Sequence, residues 1–157
     1  FEATGFNQIM VEPVPHELVN QYGVVDLKGA AITAGDNAVI HDMVEKPAID
    51  EAPSNFAITG RYVLSSAIWD LLEFTPPGAG GEIQLTDALH QLRILETIEA
   101  YHLKGKSHDC GSKLGYMMAN VEYAMQCDNL GQQFKAALHS LLAIENAKIN
   151  SKQTNNV

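Results

Sequence analysis

The sequence predicts an α/β domain built on a mixed sheet. Three observations lead there: short apolar runs rich in β-branched residues, helical patterns alternating with them, and one dense Pro/Gly interruption between two helices. The runs that read as strands are residues 8–13, 23–27, 43–46, 57–64 and 97–103. Each is short, and turn-forming residues bound most of them.

The helices follow in order. Ser65 and Ser66 stand where a side-chain oxygen caps a short helix over 67–72, and Thr86 stands likewise before a helix over 87–92, with Asp87 in its first turn. Between them, 75–81 (TPPGAGG) is a surface loop, because neither a helix nor a central strand tolerates that Pro/Gly density. Ser112 opens a longer helix through Gly115 to Met125, and 127–131 (CDNLG) breaks it. A last helix carries Phe134, Leu138, Leu141, Leu142 and Ile144 at helical spacing, and the polar end 150–157 is expected to fray.

A length of 157 residues suffices for one ordinary domain with its own core. The composition, 46% apolar and 18% charged, is that of a globular chain. A net charge of −9 argues against nucleic acid as a partner, since phosphate-backbone binders need clustered Lys and Arg. No apolar run approaches the roughly 20 residues of a membrane helix, so no membrane partner is expected. No secretory signal pattern is visible, and the opening Phe1 reads as a helix end entered midway, which leads us to expect a fragment or processed product. Cys110 and Cys127 have no metal or redox spacing; free thiols in a reducing, cytoplasmic compartment are the expectation.

Five segments are candidates for chemistry, and four of them have a plainer reading beside the functional one. Gly23 at a strand start lets a ligand approach the backbone, or simply marks a turn. Glu45 and Lys46 pair a carboxylate able to hold two hydroxyls with an ammonium able to neutralise a phosphate; a solvated pair at a strand end is the alternative. Strand alternation would point the two apart unless the strand stops there, which Pro47 encourages. In Ile58-Thr59-Gly60-Arg61-Tyr62, Tyr62 offers a flat apolar face and a hydroxyl, or the run is a core strand. The segment 81–87 (GEIQLTD) lacks the ending of a P-loop and does not follow an apolar strand, so nucleotide cradling there is rejected. In 104–111 (KGKSHDCG), adjacent Ser, His and Asp cannot converge as a triad, whereas Asp109 offers the hard oxygen that Mg²⁺ takes, or a turn cap. His16, His41, His90, His102 and His139 show no ligand spacing, and surface or packing roles suffice for them.

In their order along the chain these segments resemble the bacterial UTP–glucose-1-phosphate uridylyltransferases, also called UDP-glucose pyrophosphorylases. The resemblance is carried by 9–14 (IMVEPV), 22–26 (YGVVD), 44–47 (VEKP), 52–64 (APSNFAITGRYVL), 75–87 (TPPGAGGEIQLTD) and 100–111 (AYHLKGKSHDCG), and covers roughly residues 1–126. It implies the C-terminal part of a nucleotidyltransferase fold, Rossmann-like with a mixed sheet and C-terminal helices. It divides the chain into a sugar-phosphate-binding part, 1–111, and a helical region, 112–157.

That family transfers a uridylyl group from UTP to glucose 1-phosphate, giving UDP-glucose and pyrophosphate. The resemblance implies that Gly23 contacts glucose through its backbone, Glu45 binds sugar hydroxyls and Lys46 meets the sugar phosphate. Ile58 and Tyr62 would flank the sugar. Asp109 would be one of two Mg²⁺ carboxylates, and catalysis would rest on Lys46 and Asp109, all converging on one hexose phosphate. The family's Gly-x-Gly-Thr-Arg-type loop and its first metal-binding Asp are not in this sequence, so the chain is expected to be inactive alone. Family members form homo-oligomers, which would place the last helices between subunits, while their apolar stripe reads equally as an intrachain face. Two alternatives stand beside this reading. One is a glucose-1-phosphate thymidylyltransferase, against which the 105–111 block argues; the other is a non-catalytic module that binds sugar phosphate or mediates oligomerisation.

Overall fold

A computed structural model describes residues 1–78 and 81–154, in two compact units, Phe1–Lys106 and Ser107–Val157. The division falls ahead of the expected boundary after Gly111. The turn at Asp109–Gly111 goes with the helix that follows, because Ser112 Oγ donates to the Asp109 carbonyl at 3.4 Å.

The first unit is a six-stranded sheet of β1 (Asn7–Pro13), β2 (Gly23–Asp26), β3 (Asn37–Val39), β4 (Asp42–Glu45), β5 (Phe56–Val63) and β6 (Ile98–His102), in the order β3-β6-β1-β5-β2-β4. Among the described residues only the β1–β6 pairing is parallel, so the sheet is mixed as expected. The expected strand over 23–27 ends earlier. Lys28 turns to φ 48° while its N–H bonds Asp26 Oδ1 at 2.7 Å, and Leu27 leaves the ladder with it. β3 was not foreseen. Its three residues carry no periodicity of their own, and pairing with β6 (Asn37↔Tyr101) makes them a strand.

Side-chain alternation along β1 sends Ile9 and Val11 to one face, where they are fully buried. There they join Val25, Met43, Ile98 and Ala100 from other strands, Leu27 just past β2, and Ile68, Ala88, Leu89 and Leu92 from two helices. The helices are α1 (Ala67–Phe74) and α2 (Leu85–Leu95). Burying Leu89 and Leu92 completely stabilises the α2–sheet contact by about 1.5–3 kcal/mol each.

Two expected caps are not made. Ser66 precedes α1 in αR conformation without a side-chain bond, and the Ile68 and Trp69 N–H groups close the first turn by donating to the Ser65 and Ser66 carbonyls. Gln84, not Thr86, is the extended residue before α2; Thr86 lies inside the helix and its hydroxyl goes elsewhere. Of the Pro/Gly loop, Ala79 and Gly80 lie outside the described residues.

The second unit holds α3 (Lys113–Gln126) and α4 (Gly131–Thr154). Ser112 caps α3 as its sequence suggests, accepting from the Gly115 N–H at 3.0 Å. α4 runs to Thr154, further than the polar end implied, and residues 155–157 lie outside the description. Phe134 and Leu138 of α4 are half-buried, whereas Leu141, Leu142, Ile144 and Ile149 remain exposed. Among the described residues no helix is long and apolar enough to cross a membrane.

Candidate functional site

Strand register assembles a cavity in the first unit from positions far apart in sequence. β2 pairs antiparallel with β4 so that Gly23 faces Glu45, and with β5 so that Val24 faces Ala57, which brings Ile58 alongside. The β1–β5 register then slips. Val11 opposes Ile58 and Ile9 opposes Tyr62, leaving Thr59, Gly60 and Arg61 opposite the single residue Met10. Gly60 takes φ 75° in this bulge and Thr59 Oγ1 bonds the Met10 carbonyl at 3.1 Å. Ile58 and Tyr62 share a face of β5 by alternation, and the bulge sets them opposite β1 residues only two apart.

The result is a cavity of about 220 Å³ lined by Gln21, Tyr22, Gly23, Glu45, Ile58, Gly60, Tyr62 and Thr86. Gly23, Glu45, Ile58 and Tyr62 were all singled out by sequence, and the structure brings them together. Gly23 does not have the positive φ that would make glycine a conformational need. A Cβ there would instead stand 3.0 Å from Glu45 Oε2 and 3.3 Å from Ile58 Cδ1. Its bare Cα is therefore part of the cavity wall.

Glu45 is oriented by Thr86, whose hydroxyl donates to Oε2 at 2.7 Å. A bond to a carboxylate is worth about 1.5–3 kcal/mol, and this one leaves the other oxygen's lone pairs for a ligand. Burial pushes the Tyr62 phenol up, and the Glu45 charge adds to that, so Tyr62 stays a neutral hydroxyl. The cavity thus offers a carboxylate acceptor, hydroxyls that donate and accept, and apolar Ile58 and ring surface. That set suits a small polyhydroxylated molecule.

Lys46 is exposed and is not among the lining residues. β4 ends at Glu45, and Lys46 takes φ 47° with its N–H on the Tyr22 carbonyl at 3.0 Å, so strand alternation no longer governs where it points. A non-glycine residue held at such a φ costs about 1–3 kcal/mol and recurs at functional sites.

Asp109 belongs to the second unit. Its Oδ1 accepts the Gly111 N–H at 2.9 Å, and within this unit Oδ2 accepts no hydrogen bond among the described residues. One hard carboxylate with a free oxygen fits Mg²⁺, which takes one or two carboxylates together with substrate phosphates. Among the described residues no group of three or more His, Cys, Asp or Glu side chains is placed to hold a metal ion. His90 and His102 have packing roles: His90 Nδ1 lies 3.1 Å from Asp42 Oδ1, and the His102 ring is edge-on to Phe56. Cys110 and Cys127 are exposed free thiols.

Sequence reasoning missed Thr86, because a Thr before an apolar run reads as a cap. Only the fold shows that it reaches β4. A larger cleft of about 550 Å³, lined by residues including Met10, Arg61, Val63 and Tyr101, shares only Tyr62 with the candidate site and carries no carboxylate.

The nucleotidyl transferase family model matches residues 2–126. The UTP–glucose-1-phosphate uridylyltransferase of Escherichia coli K12 is 58% identical over 145 residues, which are 92% of this chain and 47% of that protein. Among solved structures, the UTP-bound UGPase of Acinetobacter baumannii matches with TM-score 0.80 and 44% identity, over 89% of this chain and 47% of that one. A UDP-glucose pyrophosphorylase complexed with UDP-glucose matches with TM-score 0.72 and 40% identity, over 80% of this chain and 47% of that one. The chain spans about half the length of the relatives it matches.

Proposed function

The chain belongs to the nucleotidyl transferase family, and on that premise we propose that it is the sugar-phosphate half of a UTP–glucose-1-phosphate uridylyltransferase that works with Mg²⁺. The observation that carries this reading is the convergence of Gly23, Glu45, Ile58 and Tyr62 on one cavity with the chemistry of a hexose site. The uridylyltransferase relative and the UDP-glucose complex support it over a thymidylyltransferase or a bare binding module.

In this reading the hexose of glucose 1-phosphate lies against the Gly23 backbone and between Ile58 and Tyr62, with Glu45 accepting its hydroxyl protons. Lys46 neutralises the phosphate. A phosphate oxygen attacks the α-phosphorus of UTP in line; the new P–O bond forms as the bond to pyrophosphate breaks, and no protein nucleophile is required. Mg²⁺, when bound, offsets the charge of the two anions, and Asp109 supplies one of its carboxylates. This chain matches 47% of the relative's length, and in this reading the unmatched part supplies the residues that cradle UTP.

The exposed apolar residues of α4 support assembly into a homo-oligomer. The free, exposed thiols favour a reducing, cytoplasmic setting.

The test is reconstitution. The purified chain alone forms no UDP-glucose from UTP and glucose 1-phosphate, whereas its complex with the first half of the Escherichia coli relative does, in a Mg²⁺-dependent manner. Product from the chain alone would refute the division into halves. An inactive complex of the two halves would refute the assignment.

A further inference from the structure

The first turn of α3 contains a glycine whose nearest contact lies outside the helix. Glycine inside a helix costs about 0.5–1 kcal/mol relative to alanine, so Gly115 needs a reason. A Cβ built on Gly115 would overlap the Asp109 carbonyl oxygen, and would stand 3.1 Å from the Asp109 carbonyl carbon and 2.7 Å from Ser112 Oγ. The obstacles are mainly backbone, which cannot swing away as a side-chain end can. The Asp109 segment therefore lies directly on the helix at the spot that glycine leaves open.

The same place is bonded twice. Ser112 Oγ accepts from the Gly115 N–H at 3.0 Å and donates to the Asp109 carbonyl at 3.4 Å, so one hydroxyl bridges the two residues. Further along, His108 packs its ring on Tyr123 at a centroid distance of 5.6 Å, with Nε2 lying 3.8 Å from Glu122 Oε2. Asp109 thus follows a neighbour anchored near the C-terminal end of α3, and its own carbonyl is seated on the helix's first turn.

We propose that Gly115 is a positioning residue for the Asp109 carboxylate: by admitting the Asp109 backbone against α3, it fixes where that carboxylate meets a divalent cation. The proposal rests on the reading of Asp109 as a metal carboxylate. Gly115 touches neither cation nor substrate, and it acts only through the backbone of Asp109.

The experiment uses the ¹⁵N-labelled 157-residue chain and Mn²⁺ as the probe, read by paramagnetic broadening of the Gly111 and Ser112 amides. The unsubstituted chain shows the broadening and Asp109→Asn loses it. Gly115→Ala requires about tenfold more Mn²⁺ for the same broadening, the usual scale for a residue supporting a metal ligand. Gly131→Ala is the control, since its Cβ would come within 2.6 Å of the Met125 carbonyl oxygen, a comparable backbone clash away from Asp109. It lowers the melting temperature and leaves the Mn²⁺ response unchanged. If Gly115→Ala does not fold, Ser112→Ala, which removes the bridging hydroxyl without adding an atom, gives the same direction of loss. An unchanged response in a folded Gly115→Ala, or an equal loss in Gly131→Ala, overturns the positioning role while Asp109→Asn still supports the metal reading. Should Gly115→Ala not fold, an unchanged response in Ser112→Ala overturns it in the same way. Broadening retained in Asp109→Asn overturns both.

Discussion

Gly23→Ala separates binding from folding. At most glycines with structural work to do, an added Cβ strains the backbone, but Gly23 lacks a positive φ and stands at the start of β2. Alanine is tolerated there, and by narrowing the unfolded ensemble it should raise stability by about 0.4–1 kcal/mol. The new methyl would lie 3.0 Å from Glu45 Oε2, 3.3 Å from Ile58 Cδ1 and 3.7 Å from Thr86 Oγ1. All three are side-chain ends that can yield by a few tenths of an ångström, so the fold survives. The space for ligand does not survive, because the methyl projects into a cavity of only about 220 Å³ and separates a sugar from both the backbone and the carboxylate. A misfit of one methylene group is worth about 1–3 kcal/mol, or 10–200-fold. Glucose 1-phosphate binding to the chain, followed by titration calorimetry or saturation-transfer NMR, should weaken within that range while the melting temperature holds or rises. Unchanged affinity in the folded variant would show that the sugar does not lie on Gly23. A collapse in melting temperature would show that the glycine serves the backbone.

Two further outcomes follow from single contacts. Thr86→Val keeps the shape but removes the 2.7 Å bond to Glu45 Oε2; glucose 1-phosphate should bind about tenfold more weakly, about 1.4 kcal/mol, and Thr86→Ser should restore it. Glu96 accepts from the buried Asn7 amide at 2.8 Å, and that bond is the main cause holding its carboxyl below the ordinary value. A lowered folded value means stability present above the unfolded pKa and lost as pH falls through the folded one. Thermal melts between about pH 6 and pH 3 should fall with acid more steeply for the chain than for Glu96→Gln, which still accepts the bond but does not titrate. Parallel profiles would contradict it.

Strand positions were legible because short apolar runs rich in β-branched residues are a signal local to each segment, to which burial of one sheet face adds a period of two in β1 and β6. β3 was illegible for the converse reason, since three residues acquire strand geometry only by pairing with β6. Caps were the weakest inference. Ser65, Ser66 and Thr86 all have a capping side chain in sequence, but backbone bonds had already closed the first turn of α1, and the Thr86 hydroxyl found Glu45.

The sequence by itself determined the kinds of groups present: an α/β alternation, a glycine at a strand start, a Glu-Lys-Pro strand end, an aspartate ahead of a capped helix. Only the tertiary structure decided which of them meet. Gly23 opposes Glu45 by antiparallel register, a bulge at Gly60 sets Ile58 and Tyr62 opposite β1 residues only two apart, and Thr86 reaches Glu45 from a helix packed on the same sheet. The physical reason is that propensity and periodicity are properties of a few neighbouring residues, whereas a cavity is made by pairings whose register depends on the whole sheet.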